Sequence, residues 1–209
     1  QGSTAQFIRG LRVTDNKSLE VVLAVLTGLI NKTLVSSLIG LGVKAIGISG
    51  IDGSLMEAKI ENPELGFVGR VTRVNPELLQ SLIDAGFMPI VAPVSISTTD
   101  EMTHENKILN VNADAAAGEI AVALNAERLI FLTDVEGVLD NSQNLIKTMN
   151  TEDAQHLITS GTAGGGMIPK LEACVRALNT VSEAYIVDGR QKGALIDTME
   201  GNTTGTALQ

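Results

Sequence analysis

Aromatic side chains and cysteine are scarce in this sequence. Phe, Tyr and Trp together make up 2% of the 209 residues, Trp is absent, and Cys174 is the single cysteine. The hydrophobic fraction of 44% must therefore build an aliphatic core of Leu, Ile, Val and Ala. One cysteine excludes a disulfide within the chain and is compatible with a reducing compartment, in which Cys174 serves as a small core residue of a helix.

The sequence also has fewer basic than acidic residues, with 15 Lys and Arg residues, 24 Asp and Glu residues and a net charge of −9. This balance excludes nucleic acid as a main partner, since a phosphate backbone needs a positive surface. A local pocket can still hold a nucleotide. The sequence shows no apolar run near the roughly 18 residues that span a membrane, and it does not begin with a signal peptide. We expect a cytoplasmic protein without a membrane partner.

Helical and strand patterns alternate along the chain. Helices are predicted at 18–41, 76–85, 113–124, 151–160, 169–178 and 194–199, strands at 43–49, 88–94, 129–133 and 184–187, a hairpin at 62–74, a polar surface loop at 95–108 and a flexible loop at 161–166. Apolar runs such as Leu129-Ile130-Phe131-Leu132 are typical of parallel strands that are buried on both faces. The order predicts an α/β protein with an open, largely parallel sheet flanked by helices on both faces.

The carboxyl ends of the predicted strands are where open α/β sheets bind ligands. The segments at 133–137 and 188–190 follow two of these strands, but each alone is ordinary turn chemistry. The segment Gly164-Gly165-Gly166-Met167-Ile168-Pro169-Lys170 is more informative, because its glycines let backbone N–H groups approach a ligand and Pro169 can start a helix whose N terminus favours a phosphate. Its spacing is not that of a P-loop, and a mobile surface loop fits the same residues.

Two further patches contain candidate binding residues. In Asn110-Val111-Asn112-Ala113-Asp114, Asn112 fits a helix N-cap and Asp114 a first-turn acid. In a functional interpretation, Asn110 donates a hydrogen bond to a substrate carboxylate and Asp114 orients lysines around a phosphoryl group. Arg12 carries a guanidinium that suits a carboxylate, although an isolated arginine is more often solvated. His104 and His156 are far apart in sequence and have no metal-ligand companion.

The motifs occur in a fixed order along almost the whole chain, from about Phe7 to the C terminus. They are GLRVTD at 10–15, NVNAD at 110–114, LTDVEGVL at 132–139, GGMIPK at 165–170, DGR at 188–190 and TGT at 204–206. This set resembles the N-acetylglutamate kinases of arginine biosynthesis, which have the amino-acid kinase fold. GLRVTD, NVNAD and GGMIPK are quite specific to these enzymes, whereas the other pieces are shared more widely among amino-acid kinases.

The resemblance implies a kinase that transfers the γ-phosphate of ATP to the γ-carboxylate of N-acetyl-L-glutamate. It implies that Arg12 and Asn110 bind the acceptor, that Asp114 organises the active site and that Lys170 stabilises the transferring phosphoryl group. The implied ATP-binding residues are Thr133, Asp134, Val135, Glu136, Gly137, Val138, Gly164, Gly165, Gly166, Met167 and Lys170, within the segments 133–139 and 162–170. Mg²⁺ is expected largely on the ATP phosphates.

The resemblance also implies an organisation into two lobes. Residues 1–125 would belong to the acceptor-binding and oligomerisation lobe, and residues 126–209 would form the nucleotide-binding lobe. The protein is expected to form a homo-oligomer, either a dimer or a dimer-based hexamer.

Two motifs of the family do not occur in these 209 residues. Family members begin with a strand that bears Lys-x-Gly-Gly, followed by a His-Gly-Gly-Gly loop, and we expect this N-terminal part upstream of the sequence. Because phosphoryl transfer depends on positioning and electrostatic stabilisation, the chain alone is expected to bind nucleotide without forming detectable acyl phosphate. The alternatives are a related carboxylate kinase, such as one acting on an aminoadipate derivative, and a non-catalytic nucleotide-binding fragment.

Overall fold

The computed structural model describes residues 7–8, 11–98 and 107–209, and residues 7, 8, 11 and 12 are described through their backbone alone. The chain divides into two compact units, residues 1–116 and 117–209. The division falls within the helix at 113–123, whereas the sequence placed it after that helix, at 125/126. His104 lies outside the described residues.

The first unit begins with a short hairpin and a long helical segment. Strands β1 (Phe7–Ile8) and β2 (Leu11–Arg12) pair antiparallel. Helix α1 (Asn16–Leu23) continues through a π-helical stretch (Ala24–Ile30) into α2 (Asn31–Gly40). The Asp15 carboxylate accepts a hydrogen bond from Ser18 N at 2.7 Å and so caps α1. The sequence predicted one helix here but not its π-helical centre.

The segment Asn16–Gly40 corrects the expectation about apolar runs. Its 25 residues have the length of a membrane-crossing helix, the mean hydropathy of its most apolar 18-residue window is 1.8, and only 6% of that window is buried. By length and composition alone this is weak evidence for a span. Its inner side is fixed on a sheet, because Asn31 Nδ2 donates to Ile90 O (2.8 Å) and Lys32 Nζ donates to Gly47 O (2.7 Å).

That sheet is a parallel pair of strands, β3 (Ala45–Ser49) and β6 (Met88–Ala92). Helix α3 (Glu77–Asp84) packs on β6. Asn31 lies so close to β3 that a Cβ at Gly47 would stand 1.9 Å from Asn31 Oδ1. Helix and strand can approach this closely only because residue 47 is glycine.

A closed four-stranded barrel forms the rest of the first unit. Its strands, in the order β4-β5-β8-β7, are β4 (Met56–Ile60), β5 (Val68–Val74), β7 (Val94–Ser97) and β8 (Ile108–Val111). The predicted hairpin at 62–74 is wrong in its first strand, which lies at 56–60. The predicted surface loop at 95–108 is wrong at its beginning, because Ser95 and Ser97 are buried strand residues. Serine is typical of loops, and for this reason the sequence pattern indicated a loop at these positions.

The second unit is a mixed sheet covered by helices. In chain order its elements are α4 (Ala113–Ala123, which starts in the first unit), β9 (Arg128–Thr133), β10 (Thr148–Met149), α5 (Thr151–Thr159), α6 (Met167–Ala177), β11 (Glu183–Asp188), α7 (Ala194–Met199) and β12 (Thr206–Leu208). The sheet order is β10-β12-β11-β9, with β9 and β11 parallel and β12 antiparallel to β11. An aliphatic cluster that includes Leu171, Ile186 and Leu208 fills its core. The predicted α/β class is confirmed.

Candidate active site

A cleft of about 280 Å³ opens in the second unit between the loop after β9 and the segment before α6. The lining residues are Val135, Gly137, Val138, Leu139, Asp140, Asn141, Gln143, Thr162, Ala163, Gly164 and Met167. Two segments that were singled out separately in the sequence thus meet at one cavity.

The loop after β9 is held in place by a distant threonine. Thr206 Oγ1 accepts a hydrogen bond from Val138 N (2.8 Å) and donates one to Ile146 O (2.7 Å). Gly137 has φ of +153°, and a Cβ there would stand 2.7 Å from both Thr206 Oγ1 and Leu145 Cδ1. The glycine and the threonine together fix the wall of the cleft, which gives the TGT motif a structural purpose.

The far end of this loop is fixed by its own side chain. The Asp140 carboxylate accepts hydrogen bonds from Ser142 N and Asn144 N, both at 2.8 Å. These bonds lower the pKa of Asp140 below its usual value, the bond from Asn144 N having the largest effect. The turn keeps Asn141 and Gln143 at the cleft.

The glycine segment leads directly into α6. Gly166 is the N-cap and the helix begins at Met167, two residues earlier than predicted, so Pro169 and Lys170 are its third and fourth residues. Proline is tolerated there because the first four N–H groups of a helix have no intrahelical partner. A Cβ at Gly164, Gly165 or Gly166 would meet no described heavy atom within 4 Å, so the segment borders open space that a ligand can enter.

An arginine–carboxylate pair lies at the carboxyl ends of β9 and β11. Arg190 Nε and Nη2 donate to the two carboxylate oxygens of Asp188 at 2.8 and 2.9 Å. These hydrogen bonds lower the pKa of Asp188 to about 2, despite its burial. Asp188 raises the pKa of Arg190, with smaller contributions from Asp134 and Glu136. The guanidinium therefore offsets acidic charge on the β9 loop.

The acceptor-binding candidates belong to the first unit. Asn110, at the end region of β8, donates from Nδ2 to Thr14 Oγ1 at 3.1 Å. Asn112 caps α4, because its Oδ1 accepts from Ala115 N at 3.0 Å, which agrees with the simpler interpretation of that residue. Asp114 is half-buried in the first turn of α4. Arg12 lies in β2, and its side chain is outside the described part of the chain.

The cleft contains some of the predicted nucleotide-binding residues and not others. Val135, Gly137, Val138, Gly164 and Met167 line it, whereas Thr133, Asp134, Glu136, Gly165, Gly166 and Lys170 are not among its lining residues. Sequence reasoning missed Asp140, Asn141 and Gln143. The polar, turn-forming run from 140 to 144 was the available signal. Which of these residues bind a nucleotide stays a prediction.

With this geometry established, comparison with known proteins defines the class. The sequence model of the amino acid kinase family matches residues 1–188. The chain belongs to the amino acid kinase family.

Individual proteins show which members of this family the chain is similar to. The chain is 42% identical to the acetylglutamate kinase of Dehalococcoides mccartyi, over 99% of this chain and 76% of that enzyme. It is 49% identical to the acetylglutamate kinase of Caldanaerobacter subterraneus, over 93% of this chain and 65% of that enzyme. Among solved structures, N-acetylglutamate synthase from Neisseria gonorrhoeae, complexed with coenzyme A and N-acetyl-glutamate, superposes with a TM-score of 0.83 at 25% identity, over 99% of this chain and 47% of that one.

Proposed function

We propose that this chain carries most of an ATP:N-acetyl-L-glutamate phosphotransferase of arginine biosynthesis, working in the cytoplasm. In this reaction the bond between the γ-phosphorus and the β–γ bridging oxygen breaks, a bond to the γ-carboxylate oxygen of N-acetylglutamate forms, and ADP leaves. The observation that carries the proposal is the cleft where the loop after β9 meets the glycine segment before α6. The relatives named acetylglutamate kinase support the choice of acceptor.

ATP is proposed to occupy this cleft. The open space around residues 164–166 suits phosphates, since the first N–H groups of a helix and unobstructed glycines can approach phosphate oxygens closely. Mg²⁺ is proposed to arrive on the nucleotide phosphates. The described residues contain no group of three or more His, Cys, Asp or Glu side chains that could hold a metal by themselves.

Calorimetric titration with MgATP tests the nucleotide site. Val135 lines the cleft and is 41% exposed, so Val135→Glu adds a negative charge where phosphates or ribose are to bind. We expect this variant to lose MgATP binding. Leu195→Glu is the matched control, because Leu195 is 42% exposed on α7, away from the cleft lining. Equal MgATP binding by Val135→Glu and wild type would place the nucleotide elsewhere.

Lys170 is proposed to stabilise the transferring phosphoryl group, and Asp114 is proposed to organise the active site. Lys170→Ala should lower kcat by at least about 100-fold, the scale of one lost transition-state donor. The assay is hydroxamate formation from N-acetylglutamate, ATP, Mg²⁺ and hydroxylamine, in a version of the protein that includes the Lys-x-Gly-Gly and His-Gly-Gly-Gly segments. Lys147→Ala, an exposed lysine of the same unit, is the control. A near-normal kcat for Lys170→Ala contradicts its role.

Arg12 and Asn110 are proposed to bind the acceptor. In the same extended version of the protein, Arg12→Ala should raise KM for N-acetylglutamate strongly and leave KM for ATP within a few fold, because its guanidinium would contact the acceptor alone. Arg70→Ala, which removes an exposed arginine from the barrel, should change neither constant. Parallel increases in both constants for Arg12→Ala would make that residue structural.

The helical segment Asn16–Gly40 is proposed to be the homo-oligomer interface. Large apolar side chains cover its outer side, with exposed fractions of 67% for Leu29, 52% for Ile30 and 46% for Leu34. Such a patch on a soluble enzyme indicates a protein interface. Leu34→Glu should reduce the mass measured by light scattering to that of a monomer, whereas Ile60→Glu in the barrel should not. A wild-type chain that is monomeric, or that partitions into detergent, would refute this assignment.

A further inference from the structure

Thr14 is a buried residue of the GLRVTD motif, and the proposed function assigns no role to it. Its side chain is only 1% exposed, although threonine is polar. Buried hydroxyls are retained where a hydrogen bond satisfies them, and here the Thr14 hydroxyl accepts a bond from Asn110 Nδ2 at 3.1 Å. The two residues are 96 positions apart in the sequence, so the contact is made by the fold and not by local geometry.

The backbone around Thr14 is fixed by the segment that precedes β5. Thr14 N donates to Leu65 O at 2.9 Å, and Phe67 N donates to Thr14 O at 2.8 Å. Between them, Gly66 has φ of +68°, and a Cβ there would stand 2.4 Å from Thr14 O. The glycine thus permits a close backbone approach, and Thr14 has little freedom to move.

Asn110 is bonded to the same segment. Asn110 N donates to Phe67 O at 2.8 Å, so three hydrogen bonds join Thr14, Phe67 and Asn110 in a closed circuit. Two of these bonds involve backbone atoms alone, and they place the two residues. The third bond, from Asn110 Nδ2 to Thr14 Oγ1, is the only one of the three that involves the Asn110 side chain. It therefore sets the rotation of the carboxamide.

We propose that Thr14 is a positioning residue for acceptor binding, acting through Asn110. A carboxamide has two N–H bonds and one carbonyl oxygen, and its two ends differ in hydrogen-bonding character. With one N–H held by Thr14, the second N–H points in a fixed direction. It can then donate to a carboxylate without the loss of rotational entropy that a free carboxamide would undergo on binding. This inference rests on the proposed function in assigning Asn110 to acceptor binding and in naming the acceptor as N-acetylglutamate.

Two substitutions separate the hydroxyl from the packing of Thr14. Thr14→Val keeps the size and the backbone bonds but removes the hydroxyl, whereas Thr14→Ser keeps the hydroxyl and removes the methyl group. The positioning role predicts that Thr14→Val is impaired and Thr14→Ser is close to wild type. A role in packing predicts the opposite order. Thr72→Val controls for the exchange itself, because the Thr72 hydroxyl is exposed and donates a hydrogen bond to Glu57 O at 3.2 Å within the barrel.

The first measurement needs no ligand. In ¹H–¹⁵N spectra of the free protein, the Nδ2 pair of Asn110 is assigned by its loss in Asn110→Asp. Thr14→Val should shift one of these two protons upfield and speed its exchange with water, and Thr14→Ser and Thr72→Val should leave both in place. An unchanged Asn110 pair in Thr14→Val overturns the proposal.

The second measurement is calorimetric titration with N-acetylglutamate. We expect Thr14→Val to bind it about tenfold more weakly, the effect of losing one well-placed hydrogen bond, with MgATP binding unchanged. In an Asn110→Ala background, Thr14→Val should have no further effect. Equal acceptor affinity in Thr14→Val and wild type overturns the inference. If the spectra change as expected but wild type binds no N-acetylglutamate, the positioning of Asn110 stands and the proposed acceptor is wrong.

Discussion

Gly47→Ala is expected to be among the most destabilising single changes in the first unit. The added Cβ would stand 1.9 Å from Asn31 Oδ1, 2.7 Å from Lys32 Nζ and 3.0 Å from Asn31 Cγ. The lysine amine is the end of a flexible, exposed chain and can move away. Asn31 cannot do so freely, because it is 3% exposed and is held between α2 and the β3–β6 pair.

The size of the effect follows from what Asn31 loses. Its Nδ2 donates to Ile48 O (3.3 Å) and Ile90 O (2.8 Å). Displacing the carboxamide forfeits these bonds, at about 1 kcal/mol each, and leaves a buried amide unsatisfied, at about 1–3 kcal/mol. Alanine regains about 0.5–1 kcal/mol over glycine in a strand. The net loss should be about 2–4.5 kcal/mol in the free energy of unfolding.

Urea unfolding followed by circular dichroism measures this loss. Gly40→Ala is the matched control, because a Cβ at Gly40 meets no described heavy atom within 4 Å, and it should change the unfolding free energy by less than about 1 kcal/mol. In an Asn31→Ala background, Gly47→Ala should cost far less, since the clashing carboxamide is gone. A Gly47→Ala cost below about 0.5 kcal/mol, or an equal cost in both backgrounds, would refute the reasoning.

Two further predictions concern buried polar groups. Ser95 Oγ is fully buried in the barrel and has no hydrogen-bond partner among the described residues, so Ser95→Ala should raise the free energy of urea unfolding by about 1 kcal/mol; a loss of stability would reveal a missing partner. The pKa of Asp188 is lowered from 3.8 to about 2 by Arg190, so the unfolded chain takes up this proton first as the pH falls. The stabilising contribution of Asp188 is therefore complete above about pH 3.8 and disappears towards pH 2. The urea midpoint of Asp188→Asn should differ most from that of wild type above this pH window and least below it. A difference that stays constant across the window would contradict the Asp188–Arg190 pair.

Helices and long strands could be predicted from the sequence because their signals are local. Helix α7 was predicted with its observed bounds, and β9 and β11 to within one residue at each end. Capping residues and apolar periodicity act over one or two turns of chain, which the sequence displays directly. The barrel could not be predicted in the same way. Its strands β7 and β8 have four residues each, and they are stabilised by closure with β4 and β5, not by their own composition.

The same distinction applies to the candidate site. The glycine segment before α6 carries its chemistry within seven residues, and so it was found. Asp140 and Gln143 reach the cleft through a turn whose position depends on Thr206, 68 residues away from its partner Val138. Nothing in the local sequence connects them. The TGT motif was recognised as a pattern, and the hydrogen bonds of Thr206 supply the reason for its last residue.

Two glycines show what the structure adds to the sequence. The sequence alone does not say what surrounds Gly164 or Gly47, yet a side chain at Gly164 would enter open space and one at Gly47 would strike a buried carboxamide. The first glycine leaves room for a ligand, and the second leaves room for the protein itself. Substitution separates the two cases: alanine at 164 should keep the fold and alter MgATP affinity, whereas alanine at 47 should weaken the fold. A stable Gly164→Ala variant with wild-type MgATP affinity would show that the open space beside α6 is not used by the nucleotide.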